Sequence, residues 1–504
     1  MSLDTDRSRT DLAGELDAAQ VGGVGDMGPE AFRAAAHDVV DRIADYLATI
    51  ETRPVFPPVE PGGIAPAFPA EPPAKPEPLS AILADLDRLV VPNLTGWQHP
   101  AFFAYFATTA SAPGMLGEFL TAAFGQNAML WRTSPVGTEL EGVVVGWLRQ
   151  ALGLPDSFDG LLTDTASTSS LIALAAAREA AGLDAAASGL AQSGRSPRVY
   201  ASAEAHSSIE KACMTLGLGR AALVKIATDD RFAMIPRALR AAIANDRAAG
   251  RDPIAVVGTI GTTSSTAIDP IAELADVALA ERLWLHVDAA YAGAVALLPD
   301  RRAAFTGWER ADSIVVNPHK WLFVPLDASL LLSRRLDVLH RAFSLRPEYL
   351  RTLDRESPVR DYNEFTPQLG RRFRALKLWM HVRWFGIEGL RRRIETHLAM
   401  AERFARWIDQ DPDWERLAPV PFSTVCFRYH PAGVEDVDLD TLNQTLMARL
   451  NATGEVFLSH TRLRDRFTIR FSVGNLRTQD RHVERAWELL RREAKSLCIA
   501  GRRA

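Results

Sequence analysis

The sequence contains little cysteine and has a small net charge for a chain of 504 residues. Its three cysteines, Cys213, Cys426 and Cys498, lie far apart and show no metal-ligand spacing. Such a sparse, odd number excludes a disulfide framework and fits a reducing compartment. The formal net charge of −5 offers no broad basic surface for nucleic acid.

Long apolar runs that could span a membrane are also missing. The longest uncharged stretch, residues 101–117, is interrupted by threonine, serine, proline and glycine, so we interpret it as buried protein interior. Residues 1–7 lack the basic start and apolar core of a secretory signal. We therefore expect a cytoplasmic protein that contacts neither nucleic acid nor membrane, and no metal site is predicted.

The first 111 residues predict little compact structure. Residues 1–26 are rich in Asp, Gly, Ala and Ser and predict a disordered tail. A helix is predicted from Pro29, and the proline-crowded stretch 53–78 must then run extended. We expect residues 27–111 to form an arm that packs on a partner subunit, with a simple linker as the alternative for the proline stretch.

Two further domains are predicted, a large one at residues 112–377 and a small C-terminal α+β domain at 378–504. In the first, helical candidates alternate with short apolar strands, which predicts an α/β fold with a mostly parallel central sheet and helices on both faces. The helical candidates are 139–152, 169–181, 236–249 and 271–280, and the strand candidates are 199–201, 255–259, 283–287, 313–316 and 329–332.

Lys320 and Asp288 are the strongest candidate reactive residues. Each follows a predicted apolar strand, and Lys320 closes the turn that begins at Asn317. Because the carboxyl ends of parallel strands meet at one edge of a sheet, both side chains can converge on one crevice. Pyridoxal 5'-phosphate (PLP) requires such a pair, since a lysine amine forms a Schiff base with its aldehyde and a carboxylate pairs with its protonated pyridine nitrogen.

Ordered motifs extend this pattern over most of the chain, at residues 53–61, 97–106, 133–141, 205–208, 261–263, 286–293, 317–322 and 369–374. With these motifs the chain resembles the group II PLP-dependent decarboxylases, and most closely the aromatic-L-amino-acid decarboxylases. The resemblance implies the PLP-dependent transferase type I (aspartate aminotransferase-like) fold. It also implies a homodimer with active sites at the interface.

The resemblance further implies a set of cofactor contacts. His206 would stack on the pyridine ring with Ala290 under the opposite face, and Thr263 would lie beside the ring hydroxyl. A helix N-terminus would cradle the phosphate through its backbone N–H groups, with an ordinary helix cap as the alternative. The residues of this N-terminus are Thr165, Ala166 and Ser167, and the other residues near the phosphate would be Ser313, Asn317 and His319.

Substrate contacts follow from the same resemblance. Thr108 would lie near the carboxylate that leaves, and an aromatic wall would consist of Trp97, Tyr105 and Phe106, for which core packing is the alternative. The neighbouring subunit would contribute Asn127 and Met129, where relatives have more apolar or aromatic side chains. Gly370 resembles the family's choice where a roomy pocket for indole or catechol is needed.

Tyr349 lies in a charged segment without periodicity, which predicts a mobile loop. In the family this loop closes over the other subunit's site, and its tyrosine protonates the quinonoid intermediate. Relatives with phenylalanine there make aldehydes instead. The resemblance thus implies decarboxylation of tryptophan, dopa, tyrosine or phenylalanine to an amine and CO2, with Lys320, Asp288, His206 and Tyr349 as catalytic residues.

Three alternatives stay open. The first is an aromatic aldehyde synthase that couples decarboxylation to oxidative deamination at the same site. The second is a decarboxylase of another amino acid, such as glutamate or histidine, against which the aromatic wall and Trp321 argue. The third is a non-catalytic scaffold that keeps the fold, against which the intact set of candidate catalytic residues argues.

Overall fold

The computed structural model describes residues 16–183, 185, 187–192, 194–345 and 360–501. These residues form two compact units. The first contains the chain up to Phe102 together with Thr445–Leu458 and the residues from Glu484 onward, and the second contains Phe103–Gln444 and Ser459–Val483. The domain boundaries at residues 27, 112 and 378 stay predictions.

The first unit contains α1 (Ala18–Gly22), α2 (Pro29–Ala48) and α3 (Leu79–Asp85), with a π-helical turn after α3. Helix α2 begins at Pro29 as predicted, because proline is tolerated at a position whose N–H has no partner within the helix. Residues 53–78 contain no α-helix or strand, only the short 3-10 turn Ala65–Ala67. The proline stretch forms neither an α-helix nor a strand, as expected from the missing N–H donors, but its turns show that it is not extended throughout.

The second unit is built on a seven-stranded sheet in the order β1-β7-β6-β5-β4-β2-β3. Its strands are β1 (Asp159–Thr163), β2 (Pro197–Ser202), β3 (Leu223–Ile226), β4 (Asp252–Thr259), β5 (Trp284–Asp288), β6 (Ser313–Val316) and β7 (Ser329–Ser333). Only β7 runs antiparallel to its neighbours. The prediction of a mostly parallel sheet is confirmed, although β1 and β3 had not been recognised as strands.

Helices cover both faces of this sheet, because alternate strand residues point to opposite sides. In β4, Val256 packs into one apolar cluster while Ala255 and Val257 pack into another. The helices of the unit are α4 (Ala112–Phe124), α5 (Pro135–Ala151), α6 (Ala166–Ala180), α7 (Ser207–Thr215), α8 (Pro236–Ala248), α9 (Ile271–Glu281), α10 (Leu336–Phe343) and α11 (Arg374–Gln410). Helix α11 has a kink at Gly386, whose φ is 61°.

A second, smaller antiparallel sheet has the order β10-β11-β9-β8 and also lies in the second unit. Its strands are β8 (Trp414–Arg416), β9 (Thr424–Tyr429), β10 (Ser459–Leu463) and β11 (Arg466–Ser472), and the last two helices of the chain are α12 (Asp436–Ala452) and α13 (Asp480–Gly501). The predicted α/β fold with a smaller C-terminal α+β part is confirmed. In the described part of the chain, no helix combines the length and hydropathy that a membrane crossing needs.

Candidate active site

The structure brings Lys320 and Asp288 together at the carboxyl edge of the large sheet. Asp288 is the last residue of β5 and is buried, and Lys320 lies in the turn that follows β6. The N–H of Asn317 donates to the carbonyl of Ala290 at 3.0 Å, which holds this turn against the end of β5. Burial lowers the pKa of the Lys320 amine, and the Asp288 carboxylate opposes that shift. A buried amine beside a buried carboxylate is therefore the centre of the site.

His206 adds an imidazole to this pair. It is the N-cap residue of α7, and its Nδ1 accepts from the N–H of Ser208 at 3.2 Å. Burial lowers the pKa of His206, while Asp288 raises it and Lys320 lowers it further. The three side chains therefore share one electrostatic environment, and His206 is a neutral imidazole with its proton on Nε2.

The N-terminus of α6 supplies N–H groups at the same edge of the sheet. Thr165 is the N-cap residue, and no side chain among the described residues caps the helix. The Ser170 hydroxyl lies 3.2 Å from His286 Nε2, which fixes α6 to β5. An uncapped helix of 15 residues presents unsatisfied N–H donors and the positive end of its dipole, so its N-terminus suits an anion. Ala166 and Ser167 form its first turn.

Asn317 and His319 contribute two buried polar groups to the turn before Lys320. Asn317 Oδ1 is buried and has no hydrogen-bond partner in the described part of the chain. His319 Nδ1 accepts from the N–H of Ala328 at 3.0 Å, and burial lowers the pKa of His319 to about 4. The neutral His319 imidazole thus has its proton on Nε2, as a donor.

These groups fit PLP. A buried amide oxygen without a hydrogen-bond partner, such as Asn317 Oδ1, is costly, and a bound ligand can change which way this amide faces. The uncapped helix N-terminus suits a phosphate, Lys320 suits an aldehyde, and the Asp288 carboxylate suits a pyridinium nitrogen. The donor set matches the three functional parts of the cofactor.

Thr263 and Ala290 lie on two loops that follow β4 and β5. Thr263 is exposed in a tight loop in which the N–H of Gly261 donates to the carbonyl of Ala267 at 2.9 Å. Gly261 has φ +87°, and a Cβ there would lie 2.6 Å from Ala292 Cβ, so only glycine permits this turn. Ala290 is buried, and its N–H donates to Asp288 Oδ1 at 3.1 Å.

Ser313 lies apart from this group. It is the first residue of β6 and pairs with His286, whereas Asp288 pairs with Val315 further along the strand. Its hydroxyl accepts from Trp284 Nε1 at 2.9 Å and lies 2.9 Å from His286 Nδ1. Because the Ser313 hydroxyl already has these two protein partners, we do not keep this residue as a phosphate contact.

Phe106 is a predicted substrate residue that lies close to the lysine. Lys320 Nζ is 5.4 Å from the Phe106 ring centroid. Phe106 stacks on Tyr291 at 3.8 Å, and Tyr291 stacks on Trp321 at 4.7 Å. Tyr105 is exposed and has φ 52°. The aromatic wall is thus partly core packing, the alternative that the sequence had left open.

Two other predicted substrate residues flank Tyr105 and Phe106 in the sequence. Thr108 is half-buried and follows Phe106 by two positions. Trp97 belongs to the first unit, where it packs on Phe102 with the ring centroids 4.5 Å apart. Tyr349 lies outside the described residues, and its role stays a prediction.

Asn127, Met129 and Gly370 form a second group. Asn127 Oδ1 accepts from the N–H of Arg371 at 2.9 Å, and its Nδ2 lies 3.4 Å from Met129 Sδ. The Arg371 guanidinium pairs with Glu141 at 2.7 Å, and both of these side chains are only 1% exposed. Gly370 is exposed, and a Cβ there would meet nothing within 4 Å. A buried ion pair therefore fixes the segment that contains Gly370.

Arg470 is a residue close to the site that the sequence did not predict. Arg470 on β11 is buried, and its Cζ lies 5.3 Å from the Phe106 ring centroid. In β11, Phe467, Ile469 and Phe471 alternate with polar residues, a pattern that predicts Arg470 on a polar face, whereas the structure buries every residue of the strand after Arg466. No sequence pattern therefore identifies Arg470.

Comparisons with known proteins agree with this geometry. The family model described as "Pyridoxal-dependent decarboxylase conserved domain" matches residues 61–430. The aromatic-L-amino-acid decarboxylase of Sus scrofa is 39% identical over 487 residues, covering 94% of this chain and 98% of that protein. The phenylacetaldehyde synthase of Arabidopsis thaliana is 38% identical over 484 residues, which cover 94% of this chain and 97% of that protein. The crystal structure of Oryza sativa TDC with PLP and tryptamine has a TM-score of 0.91 and 36% identity, covering 94% of this chain and 99% of that one.

Proposed function

This chain belongs to the pyridoxal-dependent decarboxylase family and is a PLP-dependent amino-acid decarboxylase, and we propose that it converts aromatic L-amino acids to the corresponding amines and CO2. The observation that supports this best is the convergence of Lys320, Asp288 and His206 at one sheet edge, beside the ring of Phe106. The relatives named for aromatic substrates support the substrate class.

When bound, PLP supplies an electrophilic aldehyde and a ring system that accepts the electron pair of the breaking Cα–carboxylate bond. Lys320 would hold the aldehyde through its amine, and the lowered pKa keeps more of that amine in the nucleophilic form. Asp288 would hold the pyridine nitrogen and keep it protonated, because a buried carboxylate favours the adjacent cation. His206 would cover one face of the ring, and Ala290 would lie under the other.

The phosphate would be held by the first turn of α6 with Thr165, Ala166 and Ser167. Asn317 would turn its amide toward the phosphate, and neutral His319 would donate from Nε2. Thr263 would hold the ring hydroxyl. None of these groups needs a protonation change to bind an anion, since all are neutral donors.

The substrate would be oriented by Phe106, Tyr105 and Trp97 against its ring and by Thr108 near its carboxylate. Asn127 and Met129 would reach the pocket from the partner subunit. Tyr349 would donate the proton to Cα after CO2 departs, and closure of its loop would exclude water from the site. Gly370 would leave room for a large ring.

We also propose a homodimer located in the cytoplasm. Apolar residues on α2 (Val39, Val40 and Ile43) are exposed, and so are apolar residues on α4 (Leu116, Leu120 and Phe124). Contiguous exposed apolar surface of this kind is typical of an interface. The sparse cysteine content supports the location.

The test of this function is product analysis by mass spectrometry after incubation of PLP-loaded protein in air. The substrates are tryptophan, dopa, tyrosine, phenylalanine, glutamate and histidine. Amines without stoichiometric aldehyde are expected, and the preferred substrate identifies the ring.

A second candidate, aldehyde synthesis, is favoured by one observation, the 38% identity with the phenylacetaldehyde synthase of Arabidopsis thaliana. Aldehyde, ammonia and peroxide as the main products would establish it and remove the role proposed for Tyr349. Turnover of glutamate or histidine alone would overturn the aromatic substrate class.

A further inference from the structure

Arg470 is a buried cation in the second unit, and no acidic residue in the described part of the chain pairs with it. Its side chain lies on β11, and the residue is only 4% exposed. No carboxylate lies within ion-pair distance of it among the described residues, and burial lowers the pKa of its guanidinium. Burying an unpaired charge costs several kcal/mol, roughly, so a residue of this kind is expected to have a specific role.

The guanidinium binds a single turn of the backbone through two of its nitrogens. Nη2 donates to the carbonyl of Thr263 at 2.8 Å, and Nε donates to the carbonyl of Ser264 at 2.9 Å. Cys426 also donates from Sγ to the carbonyl of Ser264, at 3.2 Å. The loop that contains Thr263 is thereby fastened to the small sheet.

The third nitrogen connects Arg470 to the aromatic segment. Nη1 donates to Ser459 Oγ at 3.1 Å, and the same hydroxyl accepts from the N–H of Tyr105 at 3.1 Å. The guanidinium also faces the Phe106 ring, whose centroid lies 5.3 Å from Cζ. Lys320 Nζ lies 5.4 Å from that same centroid. One side chain therefore contacts the Thr263 loop and the segment that lies beside the lysine.

We propose that Arg470 is a positioning residue that sets the Thr263 loop and the Tyr105–Phe106 segment at a fixed distance from each other. The inference rests on the proposed function, because Thr263 and Phe106 are given cofactor and substrate contacts there. Arg470 acts through these residues and not on the reacting atoms. The planar fork of arginine suits the role, since it reaches three acceptors at fixed angles, which a lysine ammonium cannot.

The test compares PLP affinity, measured by titration of the visible absorbance of the bound cofactor, in wild type, Arg470→Lys, Thr263→Ala and the double variant. Arg470→Lys is expected to weaken PLP binding about tenfold, because a misplaced Thr263 loses its contact. If Arg470 acts through Thr263, the two losses will not add in the double variant. Additive losses would overturn the proposal.

Arg428→Lys is the matched control. Arg428 lies on β9 of the same sheet and is 3% exposed, but it pairs with Glu415 at 2.7 Å. This variant is expected to lower the melting temperature without changing PLP affinity. If Arg470→Lys behaves in the same way, Arg470 has only a structural role and the proposal is wrong.

Ser459→Ala provides a milder test, should Arg470→Lys fail to fold. It removes only the hydroxyl that joins Arg470 to the N–H of Tyr105. We expect KM for the preferred aromatic substrate to rise about threefold with PLP affinity unchanged. An unchanged KM would overturn the link to the aromatic segment. A wild type that forms no visible band with PLP would overturn the proposed function and this inference together.

Discussion

Two groups of residues that we predict to line the site, a cofactor wall and a pocket wall, are held in different ways. The cofactor wall, defined by Lys320, Asp288 and His206, lies at the ends of buried strands and a helix, where backbone hydrogen bonds set each position. The pocket wall, defined by Asn127, Met129 and Gly370, lies on loops that side chains fasten together. Changes in the first wall should therefore alter chemistry, and changes in the second should alter stability or ring preference.

The largest effect is expected for Lys320→Ala in the cofactor wall. Loss of the Lys320 amine should reduce kcat by roughly 10⁴-fold, as expected for a residue that would form a covalent bond to the cofactor. Single-turnover measurement of amine formation tests it, and circular dichroism controls for folding. Activity within tenfold of wild type would remove Lys320 from the centre of the site.

A stability effect of about 3–5 kcal/mol is expected for Glu141→Gln behind the pocket wall. The change leaves the Arg371 guanidinium buried without its carboxylate, while the shape of the side chain is kept. Urea unfolding followed by fluorescence measures the loss.

The control for that variant is Glu455→Gln. Glu455 pairs with Arg485 at 2.8 Å, but both side chains are more than two-fifths exposed. Loss of the Glu455–Arg485 pair should lower the free energy of unfolding by less than about 1 kcal/mol. Equal losses in the two variants would show that burial of the Arg371 pair does not matter.

A pH dependence of stability is expected from His319, which lies next to Lys320 in the sequence. Burial lowers the pKa of His319 to about 4, from the ordinary histidine value of about 6.5. The unfolded chain therefore binds more protons than the folded chain between these values. The free energy of unfolding should fall as the pH falls from 6.5 to 4, by up to about 1.4 kcal/mol per pH unit for this histidine.

His319→Asn tests the assignment, because asparagine keeps an acceptor near the Nδ1 position but does not titrate. Unfolding of the cofactor-free protein should then show a shallower pH dependence than wild type. His286, His397 and His381, whose pKa values burial lowers to about 4, about 4 and about 3, add to the slope, and Asp269, whose pKa burial raises to about 7, opposes it. If the free energy of unfolding depended on pH as steeply in the variant as in wild type, His319 would not be a neutral buried imidazole.

The smallest effect is expected for Gly370→Ser. A Cβ at this position meets nothing within 4 Å, so the melting temperature should stay within a few degrees of wild type. The ratio of kcat/KM for tryptophan to that for tyrosine should fall by about fivefold, which corresponds to about 1 kcal/mol. If the melting temperature changed while the ratio of the two kcat/KM values did not, Gly370 would have a role in folding and not in substrate specificity.

Periodicity predicted most of the large sheet, because its strands are short apolar runs bounded by helices. It missed β1, whose Asp-Gly start is not typical of a strand, and β3, which has only two half-buried residues before a charged one. Short motifs also identified Lys320, Asp288 and His206, because each residue lies within its own motif of neighbouring residues. The family resemblance selected Ser313, but the strand register places it at the start of β6, away from the turn that contains Lys320.

By itself, the sequence determined the fold class, the cofactor and the residues at the strand ends, because these depend on local patterns that repeat along one chain. Only the tertiary structure decided the stack of Phe106 on Tyr291 and the three acceptors of Arg470. Phe106 and Tyr291 are 185 positions apart, and Arg470 and Thr263 are 207 positions apart. Contacts at such separations in sequence depend on how the sheets and loops pack against one another, and a local sequence pattern cannot predict them.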